Sequence, residues 1–223
     1  MRMNLNVPLS SYASSVSDIR VGGPSAQLAA VGGRRVVMLF DLDHPWQPLL
    51  SLRPPLRAGP DVKGKAWDAV KLCWNLAPGH RTTLASSNNR DVLIWDVDEY
   101  QKAPVVIRDA NQRPITGLGF ATDNPFVLTT SSMDNQVNLW DLRALRGDGG
   151  GAASGSSSAK RTAGGLPLLP QRPILVLTEP GLPGASVLAW NRHNGNVLAT
   201  AHANQLWLWD IRVGGDLSLF VSY

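Results

Sequence analysis

The chain has 223 residues, of which 43% are hydrophobic and 17% are charged. This composition allows a packed core and excludes a globally disordered chain, and the length suits one large domain or two small ones. The formal net charge is +4, but the 21 Lys and Arg residues are scattered, with no basic run longer than two. Scattered charge argues against a nucleic-acid-binding patch and favours an ordinary solvated surface.

The N-terminal sequence and the cysteine content indicate the cellular compartment of the protein. The stretch "MRMNLNVPLSSYASS" lacks the apolar core of a signal peptide, and no stretch approaches 18 consecutive apolar residues. Cys73 is the only cysteine, which excludes an internal disulfide and fits a reducing compartment. We interpret Cys73 as a buried strand residue, with a reactive thiol as the alternative. The sequence therefore predicts a soluble, cytoplasmic protein without a transmembrane segment.

Repeated phrases organise the chain after a flexible N-terminal segment, residues 1–14. Four units follow over 15–55, 66–110, 113–180 and 185–223. The last three units carry the phrases "VLIWDV", "VNLWDLR" and "LWLWDIR", and the first carries the weaker copy "VMLFDLD". The repeated pairs, in chain order, are Phe40-Asp41, Trp95-Asp96, Trp140-Asp141 and Trp209-Asp210. We interpret all eight residues as structural members of one repeat.

The spacing of the pairs identifies the repeat. The intervals are 55, 45 and 69 residues, and a period of about 40–45 residues is typical of WD repeats. The tract "RGDGGGAASGSSSAKRTAGG" accounts for most of the excess in the longest interval. Its Gly, Ser and Ala content cannot bury enough apolar surface to order itself. We expect residues 146–170 to be a disordered insertion between the third and fourth strands of unit three.

Each unit reads as four short strands, and helical periodicity is nearly absent. Unit three supplies "ITGLGF", "FVLTTS", "QVNLWDLR" and "PILVLTE" in order. A four-stranded unit with two apolar faces must be sandwiched between copies of itself, and radial stacking into a β-propeller achieves this. The sequence therefore predicts an all-β, WD40-type β-propeller with about four blades. Such an arc is an incomplete ring, and we expect an exposed apolar blade face at each of its two ends.

In WD repeats the tryptophan of the third strand is typically held by a Ser or Thr, a turn Asp and a His before the first strand. By that resemblance, unit three offers Trp140, Thr130 or Ser132, and Asp134. The segment directly before Ile115 contains no histidine, so the network is expected to be partial. Burial of tryptophan and aliphatic surface must then supply most of the stability.

No catalytic or metal-binding constellation is recognisable. The four histidines lack metal-ligand spacing, one cysteine cannot complete a zinc site, and neither a phosphate-binding loop nor a nucleophile elbow is present. We therefore expect no enzyme activity, no cofactor and no small-molecule substrate. Function is expected on loops, and we expect His202 to be an exposed turn residue. The candidate partner-binding residues are Arg34, Arg35, Asn89, Arg90, Asn135, His202 and Asn204.

Taken in order, the units resemble the N-terminal propeller of the WD repeat-containing protein 59 family. The stretches "GGRRVVMLFDLDHP", "KAWDAVKLCWN", "ITGLGFATDNPFVLTTSSMDNQVNLWDLR" and "SVLAWNRHNGNVLATAH" carry the resemblance. It implies a non-enzymatic scaffold in a SEA, or GATOR-type, complex that conveys amino-acid availability to TOR complex 1. Its implied partners are other WD-repeat and solenoid subunits, and its implied location is the vacuolar or lysosomal surface.

Two alternatives remain open at the level of sequence. One is a different WD adaptor, such as a ubiquitin-ligase substrate receptor or an RNA-processing factor. The other is a propeller that binds phosphoinositides or nucleic acid through Arg34 and Arg35. In the second case, Val36 follows the pair where phosphoinositide-binding propellers have a glycine.

Overall fold

The computed structural model of the chain describes residues 16–33, 36–53, 71–145, 171–213 and 219–222. These residues form four antiparallel sheets of four strands each, and in every sheet consecutive strands are neighbours. The first strands of successive sheets pack against one another, which makes them the inner strands of four adjacent blades. The fold is a WD40-type β-propeller arc, as predicted. The N-terminal segment 1–14 and the insertion 146–170 lie outside the described residues.

We call the strands of each blade a to d, from the inner strand outwards. Blade one contains β1 (Val16–Gly22), β2 (Leu28–Gly33), β3 (Val36–Asp41) and β4 (Leu50–Leu52). Blade two contains β5 (Leu72–Trp74), β6 (Thr83–Asn88), β7 (Asp91–Asp96) and β8 (Val105–Ile107).

Blade three contains β9 (Ile115–Phe120), β10 (Val127–Ser132), β11 (Val137–Asp141) and β12 (Leu175–Leu177). A helical turn, α1 (Leu142–Leu145), follows its strand c. Blade four contains β13 (Ala185–Trp190), β14 (Val197–His202), β15 (Gln205–Asp210) and β16 (Leu219–Ser222), with a 3₁₀ turn at Ile211–Val213.

The core lies between the blades. Each of three buried clusters draws residues from two consecutive blades, and each contains the strand-c tryptophan of the later blade. Trp95 packs with Leu39 and Leu52 of blade one, and Trp140 packs with Ile94 of blade two. Trp209 packs with Leu139 of blade three. The repeated tryptophan therefore joins each blade to the one before it.

The burial patterns show which blade faces are covered. In β10 all six residues are buried, whereas in β14 only alternate residues are buried. On the outward face of blade four, Val187 is 58% exposed and Leu206 is 39% exposed. The expectation of an exposed apolar face is confirmed for blade four. It is wrong for β2 and β3 of blade one, where a separate buried cluster includes Met38 and Phe40.

Glycine in an inner strand allows the next blade to approach closely. A Cβ atom on Gly22 of β1 would lie 2.5 Å from Cδ1 of Trp74 in β5. Blades three and four repeat this arrangement, since a Cβ on Gly119 would lie 2.7 Å from Cδ1 of Leu188. The indole Nε1 of Trp74 donates a hydrogen bond to the carbonyl of Arg20 at 3.1 Å. Close packing and a polar contact thus fix the first two blades together.

The substitution Gly22→Ala should destabilise the chain by about 1–3 kcal/mol, because the added methyl overpacks the interface with Trp74. Denaturant unfolding followed by tryptophan fluorescence measures the change. In a double-mutant cycle, Trp74→Leu should relieve part of the penalty by removing the indole. Strictly additive effects of the two substitutions would contradict the proposed contact.

Candidate functional site

The strand-c tryptophan of blade three is held by a continuous hydrogen-bonded network. The indole Nε1 of Trp140 donates to Oγ1 of Thr130 at 3.2 Å, and that hydroxyl donates to Oδ1 of Asn111 at 2.6 Å. The side-chain amide of Asn111 donates to Oδ1 of Asp134 at 3.3 Å. Of the two candidates on strand b, the structure selects Thr130, because the hydroxyl of Ser132 donates to the carbonyl of Arg113.

Asn111 takes the place where WD repeats typically have histidine, in the loop before strand a. It is buried, with 2% of its surface exposed. An amide can accept from a hydroxyl and donate to a carboxylate at the same time. The expectation of a partial network is therefore wrong for blade three. "DANQRP" offered no histidine, but an asparagine four residues before Ile115 was the signal available in the sequence.

Blade four builds its network from a different position. The indole Nε1 of Trp209 donates to Oγ1 of Thr200 at 2.7 Å, and that hydroxyl lies 2.7 Å from Nε2 of His202. The other ring nitrogen of His202 lies 2.6 Å from the carbonyl oxygen of Pro183. His202 ends β14 and is fully buried, so the expectation of an exposed turn residue is wrong. Because side chains alternate between the two faces of a strand, residues 198, 200 and 202 of β14 all point to the same inward face.

Blade two has a shorter version of this network, and the aromatic residue of blade one takes no part in one. In blade two, the indole Nε1 of Trp95 donates to Oγ of Ser86 at 2.8 Å. In blade one, Phe40 has no hydrogen-bond donor in its ring and is held by burial, with 5% of its surface exposed. The polar network therefore differs from blade to blade, while burial of the aromatic side chain is common to all four.

The aspartate after each aromatic residue has the same local task in every blade. Its carboxylate accepts the backbone N–H two residues later, at 3.0 Å for Asp41, 3.2 Å for Asp96, 2.9 Å for Asp141 and 3.0 Å for Asp210. This side-chain-to-backbone bond ends strand c and starts the turn. The recurrence of aspartate in all four pairs therefore has a structural cause.

Arginine reinforces two of these turns. Arg143 bonds to Asp141 at 2.7 Å and also lies over the ring of Phe126, 5.3 Å from its centroid. Arg212 forms the equivalent ion pair with Asp210. The guanidinium in each pair lowers the pKa of its aspartate. Both pairs are partly exposed to solvent, which limits what they add to stability.

The turns between strands b and c carry most of the predicted partner-binding residues. Asn89 and Asn135 have φ angles of 60° and 68°, and Ala203 occupies the same left-handed conformation at 51°. Asn135 also donates a side-chain hydrogen bond to the carbonyl of Glu179 at 3.0 Å. Backbone geometry therefore accounts for both asparagines.

Among the other predicted partner-binding residues, Arg90 is in an ion pair within the chain and Asn204 is exposed to solvent. Arg90 forms an ion pair with Asp109 at 2.8 Å. Asn204 lies in the exposed turn of blade four. Arg34 and Arg35 lie outside the described residues. The b–c turns of blades two, three and four lie on one propeller face, because the strands of each blade alternate in direction.

The opposite face, formed by the a–b and c–d loops, exposes large apolar side chains that sequence reasoning missed. Trp46 is 75% exposed, Leu49 65%, Leu76 61% and Tyr100 48%. We call these four residues the apolar loop patch, and all lie in loops of blades one and two. Tyr100 lines a cavity of about 250 Å³, and Ser51 and Leu52 of β4 are among the other lining residues. Exposed aromatic residues on loops are typical of protein-binding surfaces.

Cys73 lies in strand β5, as its sequence pattern predicts, but it is half-buried and not fully buried. Burial raises the pKa of its thiol to about 11. The thiolate is the reactive species, so this environment favours the structural interpretation over a reactive thiol.

Among the residues in the described ranges, no three His, Cys, Asp or Glu side chains converge as a metal site would require. Of these same residues, none form a helix with the length and apolar character needed to cross a membrane.

Comparisons with known proteins find that the chain is similar to WD-repeat proteins. It is 28% identical over 211 residues to the WD repeat-containing protein DDB_G0292056 of Dictyostelium discoideum, covering 94% of this chain and 9% of that protein. It is 25% identical over 195 residues to Maintenance of telomere capping protein 5 of Saccharomyces cerevisiae, covering 86% of this chain and 14% of that protein. It is 24% identical over 186 residues to the human GATOR2 complex protein WDR59, covering 83% of this chain and 15% of that protein.

One of these relatives, human WDR59, belongs to the family that the sequence resembles, so the resemblance is confirmed, at low sequence identity. The chain spans about 9–15% of the length of these relatives. No protein-family model matches it. A chain in the solved structure of the mitotic checkpoint complex is similar in fold, with a TM-score of 0.60 and 18% identity, covering 93% of this chain and 51% of that one. The fold and the relatives together support a WD-repeat scaffold.

Replacing Asn111 with alanine should cost about 1–3 kcal/mol, because the Thr130 hydroxyl loses its acceptor and Asp134 loses a donor. Asn204→Ala, in an exposed turn, is the matched control and should change stability by less than about 0.5 kcal/mol. Thermal or denaturant unfolding measures both variants. Equal stability of the two would mean that Asn111 does not hold the network.

The Cys73 thiol should react with a disulfide reagent at pH 8 on the order of 100-fold more slowly than an exposed cysteine, because little thiolate forms. The rate of thionitrobenzoate release measures this directly. The same reaction in denaturant is the control and should approach the rate of a free thiol. A fast reaction in the folded state would restore the reactive-thiol interpretation.

Proposed function

We propose that the chain is a non-catalytic scaffold that binds other proteins within a SEA, or GATOR-type, complex. In this proposal the complex regulates TOR complex 1 signalling in response to amino acids. The chain would work in the cytoplasm, peripherally at the vacuolar or lysosomal membrane through its partners. The observation that carries the proposal is its similarity, over 83% of its length, to a relative named as a GATOR2 complex protein.

The surface chemistry supports protein binding. The apolar loop patch combines a tryptophan, a tyrosine and two leucines on loops held by rigid strands, and tryptophan and tyrosine are enriched among residues that dominate binding energy. The predicted b–c turn residues support binding less well, since Asn135 and Arg90 already have contacts within the chain. We therefore place partner contacts first on the a–b and c–d face. Asn89 and Asn204 remain proposed contacts on the other face, and Arg34 and Arg35, which lie outside the described residues, remain proposed contacts.

Affinity purification of the chain from its own cells tests the proposal. Other WD-repeat and solenoid subunits should co-purify in a stable assembly. Recovery of ubiquitin-ligase subunits or RNA-processing factors would instead support the adaptor alternative, and recovery of the chain alone would contradict both. Retention on anionic vesicles or RNA at about 0.3 M salt would support the lipid or nucleic-acid alternative, because weak electrostatic binding is screened there.

The double variant Trp46→Ala/Tyr100→Ala should lower partner recovery about tenfold or more, since it removes two aromatic side chains of the apolar loop patch. Met133→Ala is the matched control, because Met133 is 52% exposed but lies in a b–c turn on the opposite face. Quantitative mass spectrometry of the purified assemblies measures recovery. Normal recovery with the double variant would place the contacts elsewhere on the propeller.

A further inference from the structure

His202 connects blade four to the segment that enters it from blade three. Its ring lies between Thr200 on its own strand and the main chain at Pro183, just before β13. The same entering segment contacts the b–c turn of blade three, because Asn135 donates to Glu179 and a Cβ on Gly184 would lie 2.7 Å from the carbonyl carbon of Met133. His202 therefore sits where two blades meet.

The hydrogen bonds around His202 favour a neutral ring with its proton on Nδ1. The carbonyl of Pro183 can only accept, so Nδ1 carries the proton and donates to it. The Thr200 hydroxyl accepts from the indole of Trp209 and, when Nε2 carries no proton, donates its own proton to Nε2. A neutral ring therefore gives every donor in this network an acceptor. A second proton on Nε2 would force the Thr200 hydroxyl to rotate and accept from the ring, and the hydroxyl proton would lose Nε2 as its acceptor.

Charged groups near this ring do not compensate a positive charge. The flanking strands β13 and β9 contain none, and β15 carries only Asp210, at its far end and paired with Arg212. Glu179 lies on the entering segment, and Asp134 lies in the adjacent turn, where it accepts the backbone N–H of Gln112 at 2.6 Å. Arg113 precedes β9 and would repel a cation. An imidazolium here would be buried without an ion pair among the described residues.

We propose that His202 is a pH-sensitive lock between blades three and four. Above about pH 6.5 the neutral ring ties Pro183 to Thr200 and Trp209. Proton uptake places an unpaired charge at this buried position and removes the acceptor of the Thr200 proton, so acidification favours an opened state in which the entering segment separates from blade four. The opened ring is hydrated and can carry the charge.

The direction of the pH effect follows from linkage. Burial lowers the pKa of His202 from its ordinary value of 6.5, and the hydrogen bond to Pro183 offsets this only in part. The opened state therefore binds a proton more readily than the closed state, and the closed state loses stability as pH falls below about 6.5. If the closed state remains neutral, the opening equilibrium rises about tenfold between pH 7.5 and 5.5.

Blade three supplies an internal control. Its network has the same tryptophan and threonine, but its third member is Asn111, which does not titrate in this range. Acidification should therefore open blade four and leave blade three closed. This difference separates a local lock from general acid destabilisation, which would affect both blades.

Hydrogen exchange of the full chain, corrected for the intrinsic pH dependence, tests the proposal at pH 7.5 and 5.5. Amides of β14 and β15 should exchange about tenfold faster at the lower pH, and amides of β10 and β11 should not. Equal acceleration in both blades, or none in blade four, would overturn the proposal. In His202→Gln, whose side chain cannot titrate, the difference between the blades should disappear.

A measurement on the unaltered chain keeps the proposal testable if that variant fails to fold. The ¹⁵N shifts of the His202 ring should show a proton on Nδ1 and none on Nε2 at pH 7. The ring should stay neutral in the closed state below pH 6.5. A ring that titrates at or above 6.5, or carries its proton on Nε2, would refute the lock.

Discussion

The structure depends on one constraint: a four-stranded blade cannot bury both of its apolar faces alone. Each strand-c tryptophan resolves this by filling the interface with the preceding blade, so Trp95, Trp140 and Trp209 each belong to a cluster shared by two blades. The hydrogen bond from the indole then fixes the ring's orientation. The glycines of the inner strands serve the same end, since they let neighbouring backbones approach.

Variation around this constraint is what distinguishes the blades. One aromatic position accepts a phenylalanine, and the polar partner of the tryptophan is Ser86, Thr130 or Thr200. The third member is an asparagine from a loop in blade three and a histidine from strand b in blade four. Similar packing is thus reached with different chemistry, and the difference confers pH sensitivity on one blade in our proposal.

The sequence alone predicted the parts that repeat. Period, strand alternation and the Trp-Asp pairs were enough for the propeller fold, because they reflect local geometry and burial. Asn111 and His202 were not predictable in the same way, since their partners lie 19 residues away in Thr130 and Pro183. The apolar loop patch also escaped sequence analysis, because hydrophobic loop residues read as core until their exposure is known.

Hydrogen exchange of the tryptophan indole N–H groups tests the packing account most directly. Those of Trp95, Trp140 and Trp209 are buried and donate to a hydroxyl, whereas Trp46 is 75% exposed. The account predicts that the three buried indoles exchange orders of magnitude more slowly than Trp46, at rates set by opening of the blade interfaces. Exchange of the buried indoles as fast as that of Trp46 would contradict tryptophan-centred packing between the blades.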